Sequence, residues 1–228
     1  MLKNNYDLVK ESLLHACDLA GRAPGSVKLL AVTKNVSPQD ILSVYALGQR
    51  AFGENRVQEL CEKQPELPKD IEWHFIGRLQ RNKVKYIIDK VAMIHSVDSL
   101  GLAKEISRQA QLKGLQDDMP VLIQLNLGGE QTKGGFDRDT LRRGVEEIAT
   151  LPGLSIQGLM TIGPYFEDPE GTRPLFHTMR ALMDEVDSWS VPGVRLRYLS
   201  MGMSHDFHIA IEEGADIVRV GSAIFGAR

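Results

Sequence analysis

Eight short apolar runs, each followed by a turn and an amphipathic helical stretch, limit the folds open to this chain more than any other feature. They are VKLLAVTK (27–34), RAFG (50–53), EWHFIG (72–77), AMIHSVD (92–98), PVLIQLNL (120–127), SIQGLMTI (155–162), RYLSMG (197–202) and DIVRVGSAIF (216–225). Helical patterns lie between them, such as SLGLAKEISRQAQL (99–112) and RPLFHTMRALMDEVDSW (173–189), and an opening helix is expected over residues 4–21. Strands that alternate with helices imply parallel neighbours, because a parallel pair needs a crossover connection. The length of 228 residues suits a closed (β/α)8 TIM barrel, a fold of typically about 250 residues. An open doubly wound sheet is the structural alternative. The terminal VRVGSAIFGAR speaks against it, as an eighth strand that closes the ring. No long low-complexity linker interrupts residues 1–228, so one barrel domain is expected over the whole chain.

Bulk composition removes several classes of function. With 43% hydrophobic and 25% charged residues the chain can bury a sizeable core. A net charge of −3 gives no overall field favouring nucleic acid or anionic membrane, and aromatics, at 6%, do not interleave with a basic patch. Cys17 and Cys61 form no disulfide framework and lack metal-ligand spacing. The opening MLKNNYDLVKES is too polar for a signal peptide, and no apolar run approaches membrane-spanning length. A cytoplasmic protein is expected.

In a (β/α)8 barrel the active site is built at the C-terminal ends of the strands. The chemically unusual residues collect at that address. Lys34 ends strand one, and the Ser37-Pro38 and Asp40 that follow read as a helix cap and first turn. Asn55 follows strand two; His74 lies in strand three and Arg78 follows it. Ser96 and Asp98 end strand four, Asn126 lies near the end of strand five, and Met160 and Thr161 close strand six. Ser200 and Gly202 end strand seven, and Arg219, Gly221 and Ser222 belong to strand eight.

Each of these residues has a plain reading beside a functional one. Lys34 could be a rim lysine with its ammonium in water. Alternatively, partial burial lowers its pKa and makes it an amine that forms a Schiff base with an aldehyde. Period-two alternation puts Ile217, Arg219 and Gly221 on one face of strand eight, so the guanidinium needs a partner, either a carboxylate or a ligand acceptor. VGSAIFGAR and LSMGMSHD read either as phosphate-holding turns or as ordinary strand-to-helix turns. Ser204 is expected to cap a helix whose positive end faces the site. His205 and His208, three residues apart, have no apparent third metal ligand, and His177 reads as a surface or packing residue. His74 reads equally as a hydrogen-bonded core residue or a ring-stacking group.

Lys34, Asn55, WHFIGRLQRNK (73–83), GLMTIGP (158–164), LSMGMSHD (199–206) and VRVGSAIFGAR (218–228) occur in an order that resembles the pyridoxal phosphate homeostasis protein family. That family is the single-barrel relative of the alanine racemase N-terminal domain, and the resemblance covers nearly the whole chain. It implies an alanine racemase N-terminal domain-like barrel with pyridoxal 5′-phosphate (PLP) held on Lys34 as an internal aldimine. Arg219 would face the pyridine nitrogen; Ser200, Gly221 and Ser222 would hold the phosphate; Asn55 and His74 would line the ring pocket. NLGGEQTKGGF (126–136) resembles the family's loop after strand five through Glu130, Lys133, Gly135 and Phe136, and Arg56 stands where relatives often carry an aromatic residue.

The function so implied is cofactor homeostasis: buffering, storing or delivering PLP without robust turnover, as a monomer that meets PLP-dependent apoenzymes transiently. The alternative is a PLP-dependent amino-acid racemase with Lys34 as one base and Tyr165 as the nearest candidate for the other. An unrelated barrel enzyme acting on a phosphorylated sugar or acid is a third possibility. Racemisation needs bases on both faces of a planar carbanion, and the related racemase takes its second from a partner's extra domain. An arginine at the pyridine nitrogen would also weaken the ring as an electron sink.

Overall fold

The computed structural model describes residues 1–127 and 134–226. Glu130, Lys133 and the terminal Arg228 therefore lie outside the described residues. Eight strands form a closed parallel barrel in chain order: β1 (Lys28–Val32), β2 (Ala51–Glu54), β3 (Glu72–Phe75), β4 (Met93–Val97), β5 (Met119–Leu125), β6 (Leu154–Thr161), β7 (Tyr198–Met203) and β8 (Ile217–Val220). β8 pairs with β1 through Leu30 opposite Arg219, and that closure eliminates the open sheet.

The helices are α1 (Leu2–Leu19), α2 (Pro38–Ala46), α3 (Val57–Lys63), α4 (Leu100–Lys113), α5 (Arg138–Ala149), α6 (Arg173–Ser188), α7 (Phe207–Glu212) and α8 (Ser222–Phe225). After β3 the crossover is a 3-10 segment, Arg81–Tyr86, in place of an α-helix. Local chemistry sets several starts. Ser37 accepts the Asp40 N–H at 3.2 Å with Pro38 in the first turn of α2, and Ser99 caps α4 through the Leu102 N–H. Asp137 and Thr140 close a reciprocal capping box on α5.

Period-two alternation sorts the strand residues into two cores. Leu30, Ala51, Ile76, Met93, Leu122, Met160 and Ile217 cluster inside the barrel. Their alternates, among them Leu29, Phe52, Trp73, Ile94, Leu199 and Val218, join a larger cluster with the helices. α1 buries Tyr6, Val9, Leu13, Ala16 and Cys17, and packs on α7 and α8. Among the described residues no helix is long and apolar enough to cross a membrane.

Two sequence expectations are corrected. DIVRVGSAIF is not one strand: β8 ends at Val220, and Ser222–Phe225 form α8, so Gly221 and Ser222 lie beyond the strand. A short apolar run supports either element, and Gly221 is where it turns. Ser204 does not cap α7. That place belongs to Asp206, while the Ser204 hydroxyl oxygen accepts the N–H groups of Gly221 (3.1 Å) and Ala223 (3.3 Å) at the start of α8.

Candidate functional site

Lys34 sits in the turn two residues beyond the end of β1, and its side chain is exposed; the partial burial expected for it is not found. What is buried is the apparatus on either side. Lys63, on α3, donates to the Thr33 carbonyl at 2.8 Å, to Glu54 Oε2 at 3.0 Å and to Glu59 Oε2 at 2.6 Å. The Thr33 hydroxyl lies 2.8 Å from the same Glu54 oxygen, and the Asn35 N–H donates to Glu59 Oε2 at 2.8 Å. Asn35 has φ +56°, a left-handed conformation that asparagine tolerates better than most residues. Burial opposes charge on Glu59, but hydrogen bonds from Lys63, the Asn35 amide and Arg56 hold its carboxyl below the usual range. Both chain neighbours of Lys34 are thus tied to one buried ionic cluster.

Arg219 points into the barrel from β8 and is 5% exposed. Its guanidinium donates to Ser200 Oγ at 2.6 Å and to the Thr161 carbonyl at 2.7 Å. Among the described residues it makes no ion pair, so its partners are a hydroxyl and a backbone oxygen, not the carboxylate that sequence reasoning allowed for. Burial lowers its pKa to about 10, against the charge of Asp206, and it stays protonated at neutral pH.

Ser200 also lies 3.0 Å from His95 Nδ1; His95 Nε2 lies 2.8 Å from His74 Nδ1; and His74 Nε2 lies 3.0 Å from Glu72 Oε1, which Lys28 pairs at 2.6 Å. His74 is therefore a hydrogen-bonded core residue, with its ring edge-on to His95 at a centroid distance of 5.0 Å. Burial pushes both imidazoles below the ordinary histidine pKa, His95 furthest, helped by nearby positive charge.

Asn55 follows β2 where Gly77 comes so close that a β-carbon there would meet the Asn55 carbonyl oxygen at 2.1 Å. Among the described residues Asn55 Oδ1 is buried with no hydrogen-bond partner, and Ser96 Oγ on β4 is in the same condition. Buried polar atoms are seldom left so. Gly221 is half-buried and Ser222 exposed. Gly202 has φ +87°, and a β-carbon there would lie 2.5 Å from Ala210 Cβ, so the β7-to-α7 turn requires glycine.

The remaining candidates scatter. Tyr165 is 78% exposed and stacks on His205, and His177 reaches Glu213 at 3.2 Å. Arg78 is exposed, Asp98 accepts from the Ser99 hydroxyl, and Arg56 pairs with Glu59 and Asn35. Sequence reasoning missed His95, Glu72 and Lys63. His95 left a signal, since in MIHSV it is in phase with the inward Met93. Lys63 left none: its partners come from the turn after β1, from β2 and from its own helix.

Residues 12–228 match the family model for the alanine racemase N-terminal domain. A pyridoxal phosphate homeostasis protein of Aquifex aeolicus (strain VF5) is 49% identical over 96% of this chain and 95% of its own. PipY of Synechococcus elongatus PCC7942, in a structure with PLP bound, superposes with a TM-score of 0.82 at 39% identity, over 96% of this chain and 100% of that one. An alanine racemase of Corynebacterium glutamicum shares the fold at a TM-score of 0.73 and 18% identity; this chain covers 98% of itself but 62% of the racemase. The motifs, the closed barrel and these similarities agree, and the chain belongs to the pyridoxal phosphate homeostasis protein family.

Proposed function

We propose that this protein binds PLP through a Schiff base to Lys34 and serves cellular PLP homeostasis, by buffering, storing or delivering the cofactor without robust turnover. The observation that carries the reading is Arg219, a buried protonated guanidinium with no carboxylate partner among the described residues, on the strand that pairs with the one leading to Lys34. The donor set fits the group. Lys34 offers an amine for an aldehyde, Arg219 offers N–H groups to a pyridine nitrogen, and the unpartnered Asn55 Oδ1 suits a phenolic hydroxyl. The amides of Gly221 and Ala223 converge on one oxygen, at present that of Ser204, and with the exposed Ser222 hydroxyl they suit a phosphate. Ser200 and His74 act from behind, through Arg219.

Bound there, PLP supplies an aldehyde that captures amines and a ring that draws electrons from them. The chain's own residues favour holding over turnover. Arg219 presents only donors and repels a second positive charge beside it. Tyr165, the candidate second base, is 78% exposed and stacked on His205. The PLP-bound relative supports the cofactor, and a relative named a homeostasis protein supports holding over turnover. One barrel working as a cytoplasmic monomer, with passing contacts to apoenzymes, completes the proposal.

The test is a spectrum. Purified protein supplied with PLP should show a visible band that borohydride abolishes, leaving a reduced adduct on the peptide containing Lys34. Lys34→Ala should show neither band nor adduct. An adduct on Lys83 or Lys133 in its place, or racemisation at ordinary enzyme rates of about 1–10³ per second, would refute the reading.

A further inference from the structure

A line of hydrogen bonds crosses the barrel interior from its N-terminal face to Arg219, and its two ends fix which atom donates at every step. At one end a guanidinium can only donate; at the other an ionised carboxylate can only accept. Arg219 donates to Ser200 Oγ, which keeps its own hydrogen and a second lone pair; because the Glu72 end admits only one direction, that hydrogen goes to His95 Nδ1. His95 then carries its proton on Nε2 and donates to His74 Nδ1, and His74 carries its proton on Nε2 and donates to Glu72. We propose that His95 and His74 are positioning residues, each a neutral Nε2–H tautomer, in a strut of fixed polarity that holds Arg219 as a pure donor facing the cofactor site.

The opposite polarity fails at one contact. It would put the proton of His95 on Nδ1 and that of His74 on Nδ1, and His74 Nε2 would then meet the Glu72 carboxylate, acceptor against acceptor, at 3.0 Å. Only an imidazolium at His74 would rescue it, and His74 is fully buried. The charged groups around the strut are Lys28 on β1, Glu72 on β3, Arg219 on β8 and Asp206 ahead of α7. Burial disfavours a further positive charge among them. Nor does the strut conduct protons. Passing one proton along each link toward Glu72 would leave a neutral arginine and a protonated carboxyl, the reverse of what each group prefers. The strut therefore fixes position and charge.

The inference deepens the PLP reading and rests on it only for what Arg219 meets. Nitrogen-15 spectra of histidine-labelled protein test it directly, with and without PLP. Expected are neutral Nε2–H signatures for His74 and His95 at pH 7; an Nδ1–H tautomer or an imidazolium at either position overturns the strut. PLP titration gives the second measurement. His95→Leu should weaken PLP binding about tenfold to a hundredfold, the scale of one lost hydrogen bond in a charged network. His95→Gln, which can still accept from Ser200 and donate to His74, should retain most of the affinity. Equal behaviour of the two variants overturns the positioning role. If the wild type takes up no PLP at all, the cofactor reading falls while the tautomers still decide the strut.

Discussion

Lys63 illustrates how a single residue can order a site without reaching it. Its side chain is 9% exposed, and its ammonium serves the Thr33 carbonyl, Glu54 and Glu59 together. Removing one partner of a buried ion pair leaves the others uncompensated, at a cost of about 3–5 kcal/mol. Lys63→Met should lose that much in denaturant unfolding, and Lys63→Met with Glu54→Gln should regain part of it. Glu72 supplies the pH counterpart. The His74 hydrogen bond, opposed by burial and joined by Lys28, holds its carboxyl at about 2, against 4.5 for the free group. The depressed pKa belongs to the folded state, so its contribution is complete above pH 4.5 and fades as pH falls toward about 2. Glu105 titrates over the same window from the surface, so the measurement is a difference. Stability of the wild type should fall more steeply than that of Glu72→Gln across this range; parallel curves would refute the assignment.

At the scale of elements, α8 depends on a residue from another loop. Ser204 caps it across 17 and 19 positions of sequence, through the amides of Gly221 and Ala223. Ser204→Ala should cost about 0.5–2 kcal/mol, as lost helix caps do, and hydrogen exchange should quicken at residues 223–226 before it does in β8. A uniform change across both elements would argue against a local cap. This contact also marks where sequence stops being informative. The strands β1 to β7 were legible as short apolar runs between turns and helical patterns, because a parallel barrel buries both faces of each strand. In DIVRVGSAIF the apolar pattern runs on past Gly221, and nothing local says that four residues of helix follow. Lys34, Asn55 and Arg219 were legible as polar residues in apolar settings. Lys63 and Ser204 were not, since each acts through partners on separate elements.

For the whole molecule, the balance between barrel and cofactor can be argued from what is already satisfied. The interior apolar layer of Leu30, Ile76, Met93, Leu122, Met160 and Ile217 forms one buried cluster, and Lys28 pairs with Glu72 at the start of β3 on the N-terminal face. Arg219 has Ser200 and Thr161 for partners, so its charge is not stranded before any ligand arrives. A protein that supplies its own core and gives its buried cation two hydrogen-bond partners should fold first and bind afterwards. PLP-free protein should therefore unfold in one cooperative transition. PLP at a hundredfold excess over Kd should add about 2.7 kcal/mol. For a chain of this size that is a rise in Tm of roughly 5–11 °C, at about 2–4 °C per kcal/mol. Lys34→Ala, which lacks the amine of the proposed Schiff base, should show a much smaller rise at the same PLP concentration. Loss of the folded barrel on PLP removal would mean that the cofactor is part of the core, and an equal rise in wild type and Lys34→Ala would mean that the stabilising contact lies away from Lys34.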